Sequence, residues 1–160
     1  MLIICDTSTL SALAETSLLH LLPQMFARVI ITDSVHQECQ HPGAPDAMRQ
    51  WIAQAPEWLE VVADPVPLLL ETSSLGPGEA SAITLAWTQR HQSVLILDER
   101  RGRAVAKALG LSIIGAMAIV ADAARRGLVD FEDALQRLQA ADFRLSTLVI
   151  EEARARSQQS

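Results

Sequence analysis

The chain has 160 residues, of which 49% are hydrophobic and 20% charged. This balance excludes a disordered or fibrous chain and is enough for one domain with a sizeable core. The formal net charge of −6 excludes a protein that holds nucleic acid by bulk positive charge, although an enzyme with a small basic patch stays compatible with it.

Short apolar runs alternate with segments of helical spacing in the first half of the chain. Strands are predicted at residues 2–5, 29–31 and 58–62. Two helical stretches are predicted before Pro23, a further helix from about Ser34 to a stop at 41–43, and another at 46–54. Ser34 is the predicted N-cap because Gln37, three residues on, completes a capping-box spacing.

The second half continues the same alternation. Breaks at 64–67 and 76–78 bound an internal loop region. Beyond them the spacing predicts a helix at 79–90, a strand at 94–97, a helix at 103–109 closed by Gly110, and a strand at 112–114. Three helices follow at 116–126, 131–140 and 145–156. We therefore predict a single domain over residues 1–156 and a frayed tail at 157–160.

This alternation predicts the fold class and the cellular setting. Short apolar strands between helices indicate an α/β fold, a three-layer α/β/α arrangement with a short, mainly parallel sheet. Cys5 and Cys39 are too few for a disulfide framework and are typical of buried thiols in a reducing compartment. The start of the chain does not resemble a leader peptide, and no apolar run reaches about 18–20 residues. We expect a soluble, cytoplasmic protein without a membrane partner.

Two predicted strands end directly in an acid, Asp6 after the first and Asp98 after residues 94–97. Ligands of open parallel sheets bind at the carboxyl ends of the strands, so both carboxylates are expected at one edge. An aspartate after a strand is also an ordinary turn residue. The coincidence of two such acids at one edge favours a site.

Two glutamates fall on the inward sides of their predicted helices. Glu38 follows Val35 by three residues, and Glu79 precedes Ile83 by four. Buried glutamate is costly without a partner. The alternatives are a partly exposed boundary residue for Glu38 and a first-turn acid, favoured by the helix dipole, for Glu79. Glu99 can be a fifth acid, although a solvated helix start is the simpler interpretation.

Convergence of Asp6, Glu38, Glu79 and Asp98 would be unstable without a counter-charge. Two carboxylates about 5 Å apart repel by roughly 3 kcal/mol at an effective dielectric of about 20, so six such pairs cost on the order of 15–20 kcal/mol. This exceeds the ~5–15 kcal/mol stability of a whole domain. The cluster must therefore take up protons or hold a cation, and oxygen ligands select Mg²⁺ or Mn²⁺. Such a site activates water and bridges phosphate oxygens, which favours a phosphate-ester substrate.

The chain resembles PIN domain nucleases, the fold of VapC-type toxin ribonucleases, and more closely a PIN-like bacterial branch of uncertain role. The resemblance rests on ordered pieces along nearly the whole chain: IICDTS at 3–8, VHQE at 35–38, LGPGEA at 75–80 with 82–83 and 85–86, LDERRGR at 97–103, and ALGL at 108–111 leading into 114–115. The glycine–proline–glycine entry at 76–78 fits that branch better than the best-known toxins.

The resemblance implies a metal-dependent endoribonuclease that hydrolyses RNA phosphodiester bonds, as the toxin of a toxin–antitoxin pair. Its catalytic and metal-binding residues would be Asp6, Glu38, Glu79 and Asp98, with Mg²⁺ or Mn²⁺ as cofactor. Ser8 would orient water. The implied partners are the RNA substrate, a small antitoxin protein and a second copy in a homodimer.

Three arginines flank Asp98, namely Arg100, Arg101 and Arg103. They either bind substrate phosphates, since the guanidinium fork suits phosphate, or form a solvated helix start. Arg103 is the favoured structural partner.

Two other functions stay open at this point. The first is a catalytically silent PIN-like module that binds or regulates a partner. The second is a phosphatase with Asp6 as covalent nucleophile, weakened because Ser8 stands where such enzymes usually carry a second aspartate.

Overall fold

The computed structural model describes residues 1–54 and 56–159. Within these ranges the chain forms one sheet of five strands, all parallel, in the order β3-β2-β1-β4-β5. The strands are β1 (Leu2–Cys5), β2 (Val29–Thr32), β3 (Leu59–Val62), β4 (Ser93–Ile96) and β5 (Ile113–Ile114). The predicted α/β class with a parallel sheet between helices is confirmed.

The helices within the same ranges are α1 (Thr7–Glu15), α2 (Leu21–Met25), α3 (Asp33–Gln40), α4 (Asp46–Ala53), α5 (Pro77–Thr88), α6 (Arg100–Ala108), α7 (Ala116–Arg125), α8 (Phe131–Ala140) and α9 (Thr147–Ser157). A single 3₁₀ turn, Leu70–Thr72, lies in the segment predicted as loop. None of these helices combines the length and the apolar character that a bilayer crossing requires. The predicted frayed tail begins in the last residue of α9, and residue 160 lies outside the described residues.

The sheet has an apolar layer on each face because successive strand side chains point to opposite sides. In β1, Ile3 and Cys5 pack into a cluster with the buried residues of α1–α4 and α7–α9. Ile4, between them, packs with α5 and α6 on the other face. The strands are therefore mostly apolar, as expected of strands covered on both faces, and the polar exceptions are Thr32, Glu60 and Ser93.

Three predicted helix starts are corrected. The N-cap of α3 is Thr32 rather than Ser34, since the Thr32 hydroxyl accepts the Val35 N–H at 3.2 Å. Ser34 instead bonds Asp64, thirty residues away, through its N–H and its hydroxyl.

The other two helices begin earlier than predicted. The break at 76–78 is the start of α5, with Gly76 as N-cap and Pro77 in the first turn, where no helical N–H is needed. Helix α6 begins at Arg100 instead of residue 103. This earlier start places Arg100 and Arg101 in the first turn of α6, close to the end of β4.

Candidate functional site

The order of the strands creates a crevice at the carboxyl ends of β1 and β4. The chain builds the sheet outward from β1 on one side as far as β3, then crosses back to place β4 on the other side of β1. Ligands of open α/β sheets bind at such a switch point. Asp6 leaves β1 there, and its N–H donates to the Ile96 carbonyl of β4 at 3.1 Å. Asp98 follows two residues after Ile96, so both strand-end acids start from the same edge.

The first turn of α1 and its N-cap, residues 6–9, connect the acids that come from other parts of the chain. We call this segment the hydroxyl turn, because a threonine, a serine and a threonine follow Asp6. Each hydroxyl donates to a different carboxylate: Thr7 to Glu38 at 2.6 Å, Ser8 to Glu99 at 3.4 Å, and Thr9 to Asp98 at 2.7 Å. Acids from α3 and from the end of β4 are therefore gathered around the start of α1.

Asp6 is the most buried acid of the site, at 1% exposure. Its carboxylate is the N-cap of α1 and accepts the Ser8 N–H at 3.4 Å. Burial and then the charge of Glu79 raise the pKa of Asp6 from 3.8 to about 7, with a smaller contribution from Glu38, although the N–H groups of Thr7 and Ser8 lower it. Asp6, Glu38 and Glu79 are therefore close enough for their charges to act on one another.

Glu38 is held by two protein donors. Its Oε2 accepts the Thr7 hydroxyl, and its Oε1 accepts the Gly78 N–H at the start of α5 at 3.0 Å. The carboxylate lies so close to the Gly78 backbone that a Cβ there would collide with it. A glycine at this place is what lets the start of α5 approach α3.

Glu79, in the first turn of α5, is the least satisfied acid. Its Oε2 is shielded from solvent and has no hydrogen-bond partner among the described residues. This oxygen lies against Gly102 of α6, where a Cβ would collide with it. Burial raises the pKa of Glu79, as do the charges of Glu99 and Glu38, while Arg101 lowers it. The geometry thus leaves one buried carboxylate oxygen without a donor, on a group whose pKa neighbouring carboxylates raise.

Asp98 is bonded to the protein itself. Both of its oxygens lie 3.1 Å from the Ala116 N–H at the start of α7, and Oδ2 also accepts the Thr9 hydroxyl. Burial raises the pKa of Asp98, although these bonds and the charge of Arg103 oppose the rise. As the side chain stands, Asp98 ties β4 to α1 and α7, and its role as a metal ligand stays a prediction.

Glu99 lies closer to the site than the interpretation as a solvated helix start implies. It is exposed and precedes α6, yet it accepts the Ser8 hydroxyl, and its charge is the strongest of those that raise the pKa of Glu79. Its place directly after a strand-end aspartate was the available sequence signal. The Ser8 hydroxyl donates to this carboxylate, and its role in orienting water stays a prediction.

The three arginines after Glu99 have different surroundings. Arg103 donates to the Leu97 carbonyl at 2.6 Å and lowers the pKa of Asp98, so it supports the strand end. Arg101 donates to the Ser74 carbonyl at 3.4 Å. Arg100 is exposed and lines an open cavity beside the acids. Only Arg100 of the three has a side chain directed to open space beside the site and no hydrogen bond within residues 1–54 and 56–159.

The residues present suit a hard divalent cation in chemistry, although they do not form a finished coordination sphere. The donors are all oxygens, and the unpartnered Glu79 Oε2 together with the raised pKa of Asp6 indicates uncompensated charge. However, no three His, Cys, Asp or Glu side chains within the described ranges stand together in positions that would hold an ion. The carboxylate oxygens of Glu38 and Asp98 already accept hydrogen bonds from protein donors. Asp6 and Glu79 are the acids whose carboxylates are still able to bind a cation.

Thr7 and Thr9 donate to acids of the candidate site, and sequence reasoning did not identify either as a site residue. The available signal was the unbroken run of three hydroxyl side chains after Asp6. Such a run supplies three donors at the point where acids are expected to meet.

Comparison with known proteins places this geometry in a family. A family model described as DUF3368, a PIN domain, matches residues 2–159. No curated protein matches the chain. The matched range includes every strand and helix described above.

Proposed function

The chain belongs to the PIN domain family, and from this premise we propose that it is a divalent-cation-dependent ribonuclease that hydrolyses RNA phosphodiester bonds at the acidic crevice. PIN domains typically hydrolyse nucleic acids and generally use divalent metal ions. The observation that carries the proposal is the pair formed by buried Asp6, with its pKa raised to about 7, and Glu79, with an unpartnered buried oxygen. Such a pair costs stability in the cation-free protein, which supports a binding role rather than a structural one.

Asp6 and Glu79 would hold the cation, and Glu38 could join them by releasing Thr7. When bound, a divalent cation lowers the pKa of water and offsets the charge of the phosphate. The protein's own contribution is position: the N-cap geometry orients Asp6, and Gly102 leaves room for the Glu79 carboxylate. Asp6 would hold the cation in its ionised form, since a nearby opposite charge favours ionisation.

Glu99 is the acid best placed to accept a proton during hydrolysis. It lies at the open edge of the site and is oriented by the Ser8 hydroxyl. We assign it this role because a general base must reach solvent and substrate, which buried Asp6 does not. Glu99→Gln should lower kcat about 100-fold while leaving Mn²⁺ affinity within about threefold. A larger loss of affinity than of kcat would make Glu99 a metal ligand instead.

The test uses short fluorescent single-stranded RNA and DNA of the same sequence, incubated with Mn²⁺, with Mg²⁺ or with EDTA. Wild-type protein should cut RNA only with a divalent ion. Asp6→Asn and Glu79→Gln should each lower cleavage at least about 100-fold, since even indirect supports of a metal contribute about 10–100-fold. Asp130→Asn is the matched control, because Asp130 is also an N-cap aspartate but is exposed on α8. Equal cleavage by wild type and Asp6→Asn, or in EDTA, would identify a contaminant and refute the assignment.

A catalytically silent binding module is the second candidate. The observation that favours it is that Glu38 and Asp98 are already satisfied by protein donors and that no ready set of three ligands stands among the described residues. Mn²⁺ binding by calorimetry, lost in Asp6→Asn, without cleavage of any oligonucleotide, would support this candidate. The phosphatase alternative is weaker, because a carboxyl at 1% exposure with a raised pKa is a poor nucleophile. The antitoxin and the homodimer stay predictions.

A further inference from the structure

A cavity of about 770 Å³ opens beside the acidic crevice. Ser8, Asp98 and Glu99 line it on the side of the acids, and Arg100 lines it from the first turn of α6. The rest of the wall is residues 142–146, the loop between α8 and α9. This loop lies more than forty residues from Asp98 in the chain, and no sequence motif pointed to it.

Arg144 is the basic residue of that loop. Its side chain is exposed. Neither Arg144 nor Arg100 has an ion-pair partner within residues 1–54 and 56–159, whereas Arg154 and Arg156 of α9 are bonded to acids. Arg144 also lines a second cavity, of about 310 Å³, that shares Asp98 with the first. Arg144 therefore lines two cavities that both include Asp98 in their walls.

The loop holds Arg144 in place from both sides. Before it, the Phe143 N–H donates to the Leu138 carbonyl at 3.0 Å, and the Phe143 ring packs against the core. After it, the Ser146 hydroxyl accepts the Val149 N–H and caps α9. Only one residue separates Arg144 from this cap. An arginine fixed at its backbone loses less freedom on binding a ligand than one on a mobile tail.

The negative charge of the crevice explains why a positively charged side chain is needed beside it to bind a phosphodiester. The acids give the site a negative potential, which repels a phosphodiester even when one divalent ion is bound. An arginine beside them offsets this repulsion and offers a planar pair of donors that matches phosphate oxygens. Arg101 and Arg103 are directed to backbone carbonyls instead.

We propose that Arg144, together with Arg100, binds backbone phosphates of the nucleic acid in the 770 Å³ cavity beside the acids. This inference rests on the proposed nuclease function and adds a residue that holds the substrate to those that act on it. The class of ligand is the phosphate backbone of a nucleic acid, since the cavity wall carries the exposed Arg100 and Arg144 next to the acids. Binding by Arg144 is independent of the sequence of the bases, because it contacts phosphate.

The experiment measures the affinity of the Asp6→Asn protein for short fluorescein-labelled single-stranded RNA, by anisotropy, in Mg²⁺ buffer between about 50 and 200 mM salt. Adding Arg144→Ala should weaken binding about tenfold for every RNA sequence tested. It should also reduce the slope of log affinity against log salt by about 0.7 for the lost phosphate contact. Arg144→Lys should restore the salt slope but only part of the affinity, because the charge remains and the fork is lost.

Arg126→Ala is the matched control because the substitution removes the same charge. Arg126 is an exposed arginine at the end of α7, outside both cavities. Thermal melts of all variants check folding. Equal affinity and equal salt slope for Arg144→Ala and Arg126→Ala, with tight binding by the parent, would overturn the inference and leave the nuclease proposal intact. A parent and wild-type protein that neither bind nor cut RNA or DNA would overturn both.

Discussion

Asp6→Asn should stabilise the cation-free protein, although it removes the acid most central to the proposed chemistry. Asp6 is 1% exposed and faces Glu79 and Glu38, so its ionised form is costly in the folded state. Asparagine has nearly the same shape and caps a helix about as well as aspartate does. The substitution therefore removes the buried charge and keeps the cap of α1.

The magnitude follows from the change of pKa on folding. The pKa of Asp6 is about 7 in the folded protein against 3.8 in the reference state. Below pH 3.8 both states are protonated and the charge has no effect. As the pH rises toward 7 the unfolded chain loses its proton first, so the free energy of unfolding of the wild type falls by about 1.4 kcal/mol per unit of pH. Above pH 7 the loss levels off at about 4 kcal/mol.

The assay is urea denaturation of wild type and Asp6→Asn in EDTA at pH 5 and pH 8. The variant should exceed the wild type by about 2 kcal/mol at pH 5 and about 4 kcal/mol at pH 8, or about 10 °C in Tm at the higher pH for a chain of this size. Asp130→Asn, an exposed N-cap of α8, should change stability by less than about 0.5 kcal/mol at both values. Excess Mn²⁺ should reverse the order, because it stabilises only the form that binds it.

An Asp6→Asn protein in EDTA that is less stable than the wild type at pH 8, with Asp130→Asn unchanged, would refute the reasoning. Such a result would mean that Asp6 is stabilised by partners rather than strained by neighbouring carboxylates. An equal gain at pH 5 and pH 8 would also contradict it, since the gain then would not come from ionisation.

Other parts of the site give further tests. Gly102→Ala places a Cβ against Glu79 Oε2 and should lower metal-dependent cleavage about tenfold, although alanine favours a helix. Gly76→Ala, at a glycine with open space around it, should leave cleavage unchanged. Unchanged cleavage in both variants would show that Glu79 is free to move. Thr9→Val removes the donor to Asp98 and should destabilise the protein by about 1–3 kcal/mol in chemical denaturation, with Thr9→Ser restoring most of the loss; a neutral valine variant would mean that Asp98 does not depend on this bond. Both cysteines are buried and burial raises the pKa of both thiols, so a chromogenic disulfide reagent should react with them only after unfolding; rapid labelling of the native protein would contradict the buried placement.

The local sequence pattern predicted the fold more completely than it predicted the helix boundaries. Residues 2–5 are a strand because a run of apolar side chains between polar turns suits a sheet covered on both faces. The start of α3 was misjudged because capping depends on where a hydroxyl points. Ser34 has the right chemistry for a cap, but its hydroxyl is engaged by Asp64, and Thr32 caps the helix instead. That competition is between residues distant in sequence, and no local window contains it.

The acids of the site were identifiable one by one from the chain, because an acid at a strand end or on the inward side of a helix contradicts its local pattern. Their separate roles were not. Asp98 and Glu99 are neighbours with the same charge, yet the first is bonded to Ala116 and the other faces Glu79. Which of two adjacent side chains turns inward is decided by the start of α7 and by the hydroxyl turn, both far from them in sequence. Arg144 shows the same limit, since its proximity to the site depends on how α8 and α9 pack. Periodicity and residue chemistry act over a few positions, so they define elements and candidate acids, while the pairing of donors, acceptors and charges across the crevice arises only when distant segments are packed against each other.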